Sequence, residues 1–75
     1  MTSRLELLSY FLETAGENLE ECFFEKSLYE KKMRNSDEYF RENVMSELIR
    51  CEDEIYNNHI NIARLKSAIS IEQNQ

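Results

Sequence analysis

His59 is the only histidine in the sequence and the residue best suited to proton transfer near neutral pH. A catalytic base needs a nucleophile or a positioned carboxylate beside it, and a metal ligand needs companions at helical spacing. Glu52 lies seven residues before His59, and the sequence has no Glu-x-x-His motif. We therefore predict that His59 is a partly buried, hydrogen-bonded side chain at the edge of a helix face, with no catalytic or metal-binding role.

An acidic group in the first third of the chain is the next candidate for chemistry, because carboxylates bind metals. Bundle metal sites need carboxylates that turn inward together with histidines. Most glutamates of this group project outward at spacings that place like charges together. We predict a solvated acidic face suited to steering a basic partner. The group consists of Glu13, Glu17, Glu20, Glu21 and Glu25.

The two cysteines, Cys22 and Cys51, occupy apolar positions of different predicted helices. They would either form a disulfide across a hairpin or remain two buried, reduced thiols that pack as small apolar side chains, and we favour the thiols. The sequence also has no glycine-rich phosphate loop, no Cys-x-x-Cys pair and no plausible Ser, His and Asp set. We expect neither an enzyme nor a cofactor or metal site.

Helices must position all of these side chains. The 75 residues include no proline and one glycine, and 41% of them are hydrophobic, which is typical of an all-α chain. Apolar residues recur at intervals near three and four over residues 5–33 and 40–69. We predict a single domain, residues 1–75, that is an antiparallel two-helix hairpin with helices at about 3–33 and 37–69.

The segment Asn35-Ser36-Asp37 is the strongest break signal, because these side chains compete for backbone hydrogen bonds and favour turns and helix N-caps. Either Asn35 or Ser36 is predicted to cap the second helix. Two helices of equal length about this turn would set Leu19 near Cys51. The polar tail after Ser70 is expected to fray.

The first helix is predicted to open at Thr2 or Ser3, since Ser3 and Glu6 have the spacing of a capping box. Gly16 lies inside this helix, where glycine costs roughly 1 kcal/mol relative to alanine. Next to Ala15, it would permit either a close approach of the helices or a bend.

The second helix carries two apolar stripes. The main stripe has the width of a face that buries against one neighbour; it comprises Phe40, Val44, Leu48, Cys51, Ile55, Ile62, Leu65 and Ile69. The second stripe, centred roughly 120° away, comprises Met45, Ile49, Tyr56, Ile60 and Ala63. Asn58 interrupts the main stripe and would either be buried, fixing the helix register, or lie at a wet edge.

One neighbouring helix cannot cover both stripes, so the second stripe predicts contact with another protein. Leu7 and Tyr10 likewise point away from the main stripe of the first helix. Phe24 and Leu28 continue that side further along, and we assign them no role because scattered exposed apolar residues are ordinary. The residues predicted to contact a partner are Leu7, Tyr10, Phe11, Met45, Ile49, Tyr56 and Ile60.

The charge balance excludes some partner classes. A net charge of −6 and a pI near 4.7 argue against nucleic acid, which is bound by neutralising phosphates with Lys and Arg. The basic group Lys31, Lys32 and Arg34 is placed to favour a helix C-terminus. With no run of about 18 apolar residues and no secretion leader, we expect no membrane contact and a soluble protein that stays in the compartment where it is made.

The chain resembles the small co-chaperones of type III secretion needle subunits, of the YscE, PscE and SsaE kind. It departs from them late in the second helix, where related chains are more apolar and this one has Asn57, Asn58 and His59. The similar positions are Met1-Thr2, Leu5-Glu6, Leu19, Lys31-Lys32-Met33-Arg34, the polar turn, Tyr39, Leu48, Ile55 and Ile62.

The resemblance implies a helical hairpin in the bacterial cytoplasm that stabilises a larger chaperone built of tetratricopeptide-like helical repeats. That larger subunit would hold the needle protein and keep it from polymerising before export. A lone hairpin of this size lies near the lower limit for an unaided core, which agrees with a need for a partner. The alternative is a structural or regulatory adaptor in which two hairpins form a homodimeric four-helix bundle through the same second stripe.

Overall fold

Two long helices form the protein. The computed structural model describes residues 3–35 and 37–75, with helix α1 at Arg4–Asn35 and helix α2 at Glu38–Gln73. The helices pack against each other as an antiparallel hairpin, a rod of 56 × 17 × 15 Å, which confirms the predicted all-α fold. No helix in the described part of the chain is long and apolar enough to span a bilayer.

The first helix begins as its sequence predicts. The Ser3 hydroxyl oxygen accepts a hydrogen bond from the backbone N–H of Glu6 at 3.1 Å, so one N-terminal donor that has no intrahelical partner is satisfied. Thr2, the other predicted start, lies outside the described residues.

The second helix begins at a different cap from the one predicted. The Asp37 carboxylate accepts from the backbone N–H of Phe40 at 3.3 Å, and Asp37 has the extended conformation of an N-cap. Asn35 cannot be this cap, because it is the last residue of α1. Ser36 lies outside the described residues. The first helix therefore uses part of the segment that the sequence assigned to the turn.

The C-terminal end of α2 is helical further than predicted. The helix continues through Gln73, and the Asn74 backbone N–H donates to the carbonyl of Ser70 at 3.2 Å. The Arg4 guanidinium lies 2.9 Å from the Glu72 carboxylate, so the end of α2 is tied to the start of α1. A frayed tail after Ser70 was the wrong expectation because the sequence alone did not reveal this contact.

The two helices pair in a register displaced from the predicted one. Arg4 faces Glu72, and the Cys51 sulfur lies 3.9 Å from the Glu25 carboxylate rather than near Leu19. The displacement is about six residues, or roughly 9 Å at 1.5 Å per residue. When the centre of the turn moves one residue along the chain, a given residue of α2 meets a residue of α1 two positions later. The first helix has then gained one residue and the second has lost one. The extension of α1 to Asn35 therefore accounts for part of the displacement.

Among residues 3–35 and 37–75, the side chains that are fully buried along the seam between the helices are all small. Ala15, Cys22 and Cys51 are 3%, 7% and 0% exposed. Phe40, predicted on the main stripe, is 55% exposed because the helices do not enclose it near the turn. The larger aliphatic residues of the seam are only half-buried; they are Leu5, Leu8, Leu12, Leu19, Val44, Leu48, Ile55, Ile62, Leu65 and Ile69.

Gly16 lies within the continuous helix α1, and a β-carbon added there would meet no atom within 4 Å beyond its own helical surroundings. Glycine is therefore not required for a close approach of α2. Its backbone has no positive φ angle, so alanine fits the observed conformation.

Replacing Asp37 with alanine is expected to lower the free energy of unfolding by about 1 kcal/mol, because the Phe40 N–H loses its acceptor. Urea denaturation followed by circular dichroism measures the change. Asp37→Asn retains an acceptor at the same position and should lose much less. Equal losses for the two variants would contradict a capping role.

Gly16→Ala is expected to raise the free energy of unfolding by about 0.5–1 kcal/mol, since alanine loses less backbone entropy in a helix. The reciprocal change, Ala63→Gly at an exposed position of α2, should lower it by a similar amount. Thermal unfolding of the two variants beside the wild type checks both signs. A destabilising Gly16→Ala would mean that Gly16 meets a steric constraint.

Candidate protein-binding surface

The second stripe of α2 faces away from the seam. Ile49 precedes the fully buried Cys51 by two residues, which places it about 200° around the helix. Ile49 is 53% exposed and Tyr56 is 67% exposed, and Met45 and Ala63 are exposed as well. Ile60 is half-buried. The stripe is thus an uncovered apolar surface in the middle of the rod, and its contact with a partner stays a prediction.

The second predicted group, Leu7, Tyr10 and Phe11, is exposed on the first turns of α1. The rings of Tyr10 and Phe11 have centroids 5.9 Å apart in a tilted arrangement. Phe11 also lines an open cleft with Leu65 of α2, so part of its ring faces the open edge of the seam.

The structure does not bring the two predicted groups together. Ile49 is next to Arg50, which contacts Glu25, so the α2 stripe lies alongside the middle of α1. Tyr10 is about fifteen residues away from that level, or roughly 20 Å along the rod. Tyr10 and the α2 stripe also point away from the seam, on different helices. One compact partner surface therefore cannot contact both groups unless it wraps around the rod.

Two apolar surfaces were not predicted. Near the turn, Phe40, Val44, Leu28 and Tyr29 line an open groove, where the sequence placed Phe40 in the seam. The exposed Tyr39 ring packs edge-on against Phe40 at 5.3 Å. The groove lies between the two helices where they approach the turn, and apolar periodicity carries no signal for it.

The other unpredicted surface lies on the outer side of α1. Phe24 and Leu28 line a shallow groove whose remaining residues are Glu20, Glu21 and Glu25. The i, i+4 spacing of Phe24 and Leu28 is the signal that could have identified them as one patch rather than as scattered exposed residues.

A polar cluster crosses the seam at its centre. The Cys22 thiol donates to the Glu54 carboxylate at 3.5 Å, and the Asn58 amide donates to the Glu54 carbonyl at 2.9 Å. The same amide lies 3.8 Å from the Cys22 sulfur. Asn58 is half-buried, so of its two predicted positions the structure selects the one within the seam. The arrangement can fix which residues of the two helices meet.

Glu25 departs from the predicted acidic face. It is half-buried and its carboxylate lies 3.2 Å from the Arg50 guanidinium, which also binds Glu47 at 2.9 Å and Glu54 at 2.6 Å. Hydrogen bonds to these three carboxylates, with Glu47 contributing most, raise the pKa of Arg50. The remaining glutamates of the acidic group are exposed as predicted: Glu13, Glu17, Glu20 and Glu21.

His59 is exposed, so its predicted partial burial is wrong. Its ring contacts the ring of Phe23 edge-on at 6.2 Å, at the margin of the seam where water reaches both side chains.

Within residues 3–35 and 37–75, no three His, Cys, Asp or Glu side chains are grouped to hold a metal ion. Lys32 and Arg34 lie in the last turn of α1, where their charges oppose the negative helix end.

Both cysteines are buried free thiols. Burial raises the pKa of each, and for Cys22 the hydrogen bond to Glu54 acts in the same direction. Arg50 lowers the pKa of Cys51 but does not outweigh the effect of burial. The folded protein therefore holds both thiols in the neutral form at a pH where an unfolded chain begins to ionise them.

The free energy of unfolding should consequently fall as the pH rises above about 8.5, because the unfolded chain then loses thiol protons that the folded chain retains. Urea denaturation at a series of pH values measures this fall. A variant with both Cys22→Ala and Cys51→Ala should show a shallower alkaline decline. An identical decline in the variant would assign the effect to other groups.

No protein-family model, no characterised protein and no solved structure matches this chain.

Proposed function

We propose that this chain is a type III secretion co-chaperone, the small subunit that binds and stabilises a larger tetratricopeptide-like chaperone in the bacterial cytoplasm. The two together would keep the needle subunit unpolymerised until export. The observation that carries the proposal is the uncovered stripe on α2, where Ile49 and Tyr56 are more than half exposed while the seam buries only small side chains.

The thin seam supports a role that requires a partner. Fully burying a large aliphatic side chain contributes about 1.5–3 kcal/mol, and the aliphatic residues between these helices are only half-buried. A partner made of helical repeats offers a concave surface of parallel helices, which suits a straight, apolar helix face. Contact there would stabilise the hairpin and cover the stripe at once. No covalent chemistry is needed for this function.

The homodimeric four-helix-bundle adaptor is the second candidate. The exposed stripe on α2 favours it, because the same apolar stripe of a second hairpin would cover it as well as any other helical partner. In this arrangement Met45, Ile49, Tyr56 and Ile60 of two copies would face each other. The two candidates use the same stripe and differ in its occupant.

The Ile49→Asp and Tyr56→Asp double variant should lose the partner, since a carboxylate buried without a counter-charge is strongly unfavourable. A pull-down from the native cell, analysed by mass spectrometry, should recover a helical-repeat chaperone and the needle subunit with the wild type. We expect at least about a hundredfold weaker binding for the double variant. Glu13→Gln and Glu17→Gln should bind normally, as should Asn57→Asp, which adds a charge to α2 outside the stripe. Unaltered co-purification of the double variant would reject this interface.

Sedimentation of the purified chain separates the two candidates. A tight dimer that Ile49→Asp and Tyr56→Asp dissociate would establish the adaptor. If the wild type does not self-associate, or if the double variant self-associates as the wild type does, the stripe is available to a different protein. Recovery of no helical-repeat protein by the wild-type chain would contradict the co-chaperone.

A further inference from the structure

The outer face of α1 carries a second exposed apolar patch, distinct from the α2 stripe. Phe24 is 67% exposed, and Leu28 lies one turn further along the helix. They are about 200° and 240° around α1 from the buried Cys22. Phe24 therefore points away from the seam, and Leu28 lies at the edge of this outer face, where it also borders the groove near the turn. The proposed contact with a larger chaperone involves neither Phe24 nor Leu28.

The charges around this patch select its occupant. The polar residues that line the Phe24 and Leu28 groove are all acidic, so whatever fills it should present basic groups. The chain has such a group on the same helix, because Lys31 lies one turn beyond the groove and is exposed. Among the described residues, neither Glu20 nor Lys31 forms an ion pair.

A second copy of α1 complements this face when it runs antiparallel. With a two-fold axis midway between Phe24 and Leu28, Phe24 of each copy meets Leu28 of the other. The same axis brings Glu20 within one residue of the level of Lys31 of the second copy, an offset of about 1.5 Å along the helix, and both pairings occur twice by symmetry. Glu20 and Lys31 lie on the same side of the Phe24 and Leu28 patch around α1, so in an antiparallel pair they are on the same side of the interface. A parallel pairing would instead set Glu20 at the level of Glu20 and Lys31 at the level of Lys31, so neither attractive pair would form.

We propose that two copies of this chain associate through the outer face of α1, antiparallel, with Phe24 and Leu28 at the centre and Glu20 paired to Lys31 of the other copy at each end. The contact leaves Ile49 and Tyr56 of both hairpins uncovered. It therefore goes beyond the proposed function and gives the small subunit two independent surfaces, one for itself and one for another protein.

The apolar centre is tested by sedimentation velocity of the full chain over a range of concentrations. Phe24→Asp should weaken dimerisation by at least about thirtyfold, because it places a carboxylate at the two-fold axis. Tyr39→Asp, at a still more exposed aromatic residue near the turn, is the control and should dimerise as the wild type does. Circular dichroism checks that both variants keep the wild-type helix content.

The charged ends provide a test that depends on antiparallel geometry. Lys31→Glu alone and Glu20→Lys alone each place like charges opposite one another twice, and each should weaken dimerisation by about tenfold. An equimolar mixture of the two variants restores both attractive pairs in the mixed dimer, so it should associate with near wild-type affinity. Neither substitution alters an ion pair within the described hairpin.

Several outcomes would overturn the proposal. A wild-type chain that is monomeric at every concentration, whether folded or not, excludes it. So does a dimer that tolerates Phe24→Asp but is dissociated by Ile49→Asp and Tyr56→Asp, or a mixture of charge variants no tighter than either alone. Each of these results concerns self-association, whereas the co-chaperone proposal is tested by recovery of a different protein, so the two can fail separately.

Discussion

Two long helices meet along a line, and among the described residues the side chains enclosed on that line are all small. Ala15, Cys22 and Cys51 are enclosed, whereas the leucines and isoleucines beside them remain half-open to water. Larger domains escape this limit by adding a third or fourth helix, which closes the edges of the seam. The described part of the chain forms no third helix. The apolar surface left over is a consequence of this geometry, and it makes association the natural way to complete the fold.

The same geometry explains why the exposed apolar residues are distributed in separate patches. The α2 stripe, the first turns of α1, the groove at the turn and the outer face of α1 all lie at different levels or on different sides of a rod 56 Å long. A rod of this shape can hold one partner on each side without interference. That separation allows the proposed contact with a larger chaperone through Ile49 and Tyr56 to coexist with the proposed self-association through Phe24 and Leu28.

Polar contacts supply the specificity that a narrow apolar seam lacks. A line of small and aliphatic side chains would tolerate sliding, because displacement by one helical turn brings similar residues together again. The hydrogen bond of Cys22 to Glu54, the contact of the Asn58 amide with the Cys22 sulfur and the ion pair of Glu25 with Arg50 all cross the seam, so sliding one helix along the other would break them. Each exposed ion pair by itself contributes little to the free energy of unfolding. Their role here is to select the alignment of the two helices, and thereby to determine which apolar residues remain outside.

The sequence by itself determined the number of helices, their approximate extents and the existence of an apolar face that the hairpin cannot cover. These features are local, since helical periodicity and the break near residue 36 depend on residues close together in the chain. Only the tertiary structure decided that Asp37 caps α2, that Glu25 turns toward Arg50, that His59 and Phe40 are exposed, and that Asn58 joins the seam. It also decided that the two groups predicted to bind one partner lie far apart, and that Phe24 and Leu28 form a patch. Each of these depends on where the turn closes and how near the helix axes approach, and a shift of one residue at the turn moves every pairing across the seam by two.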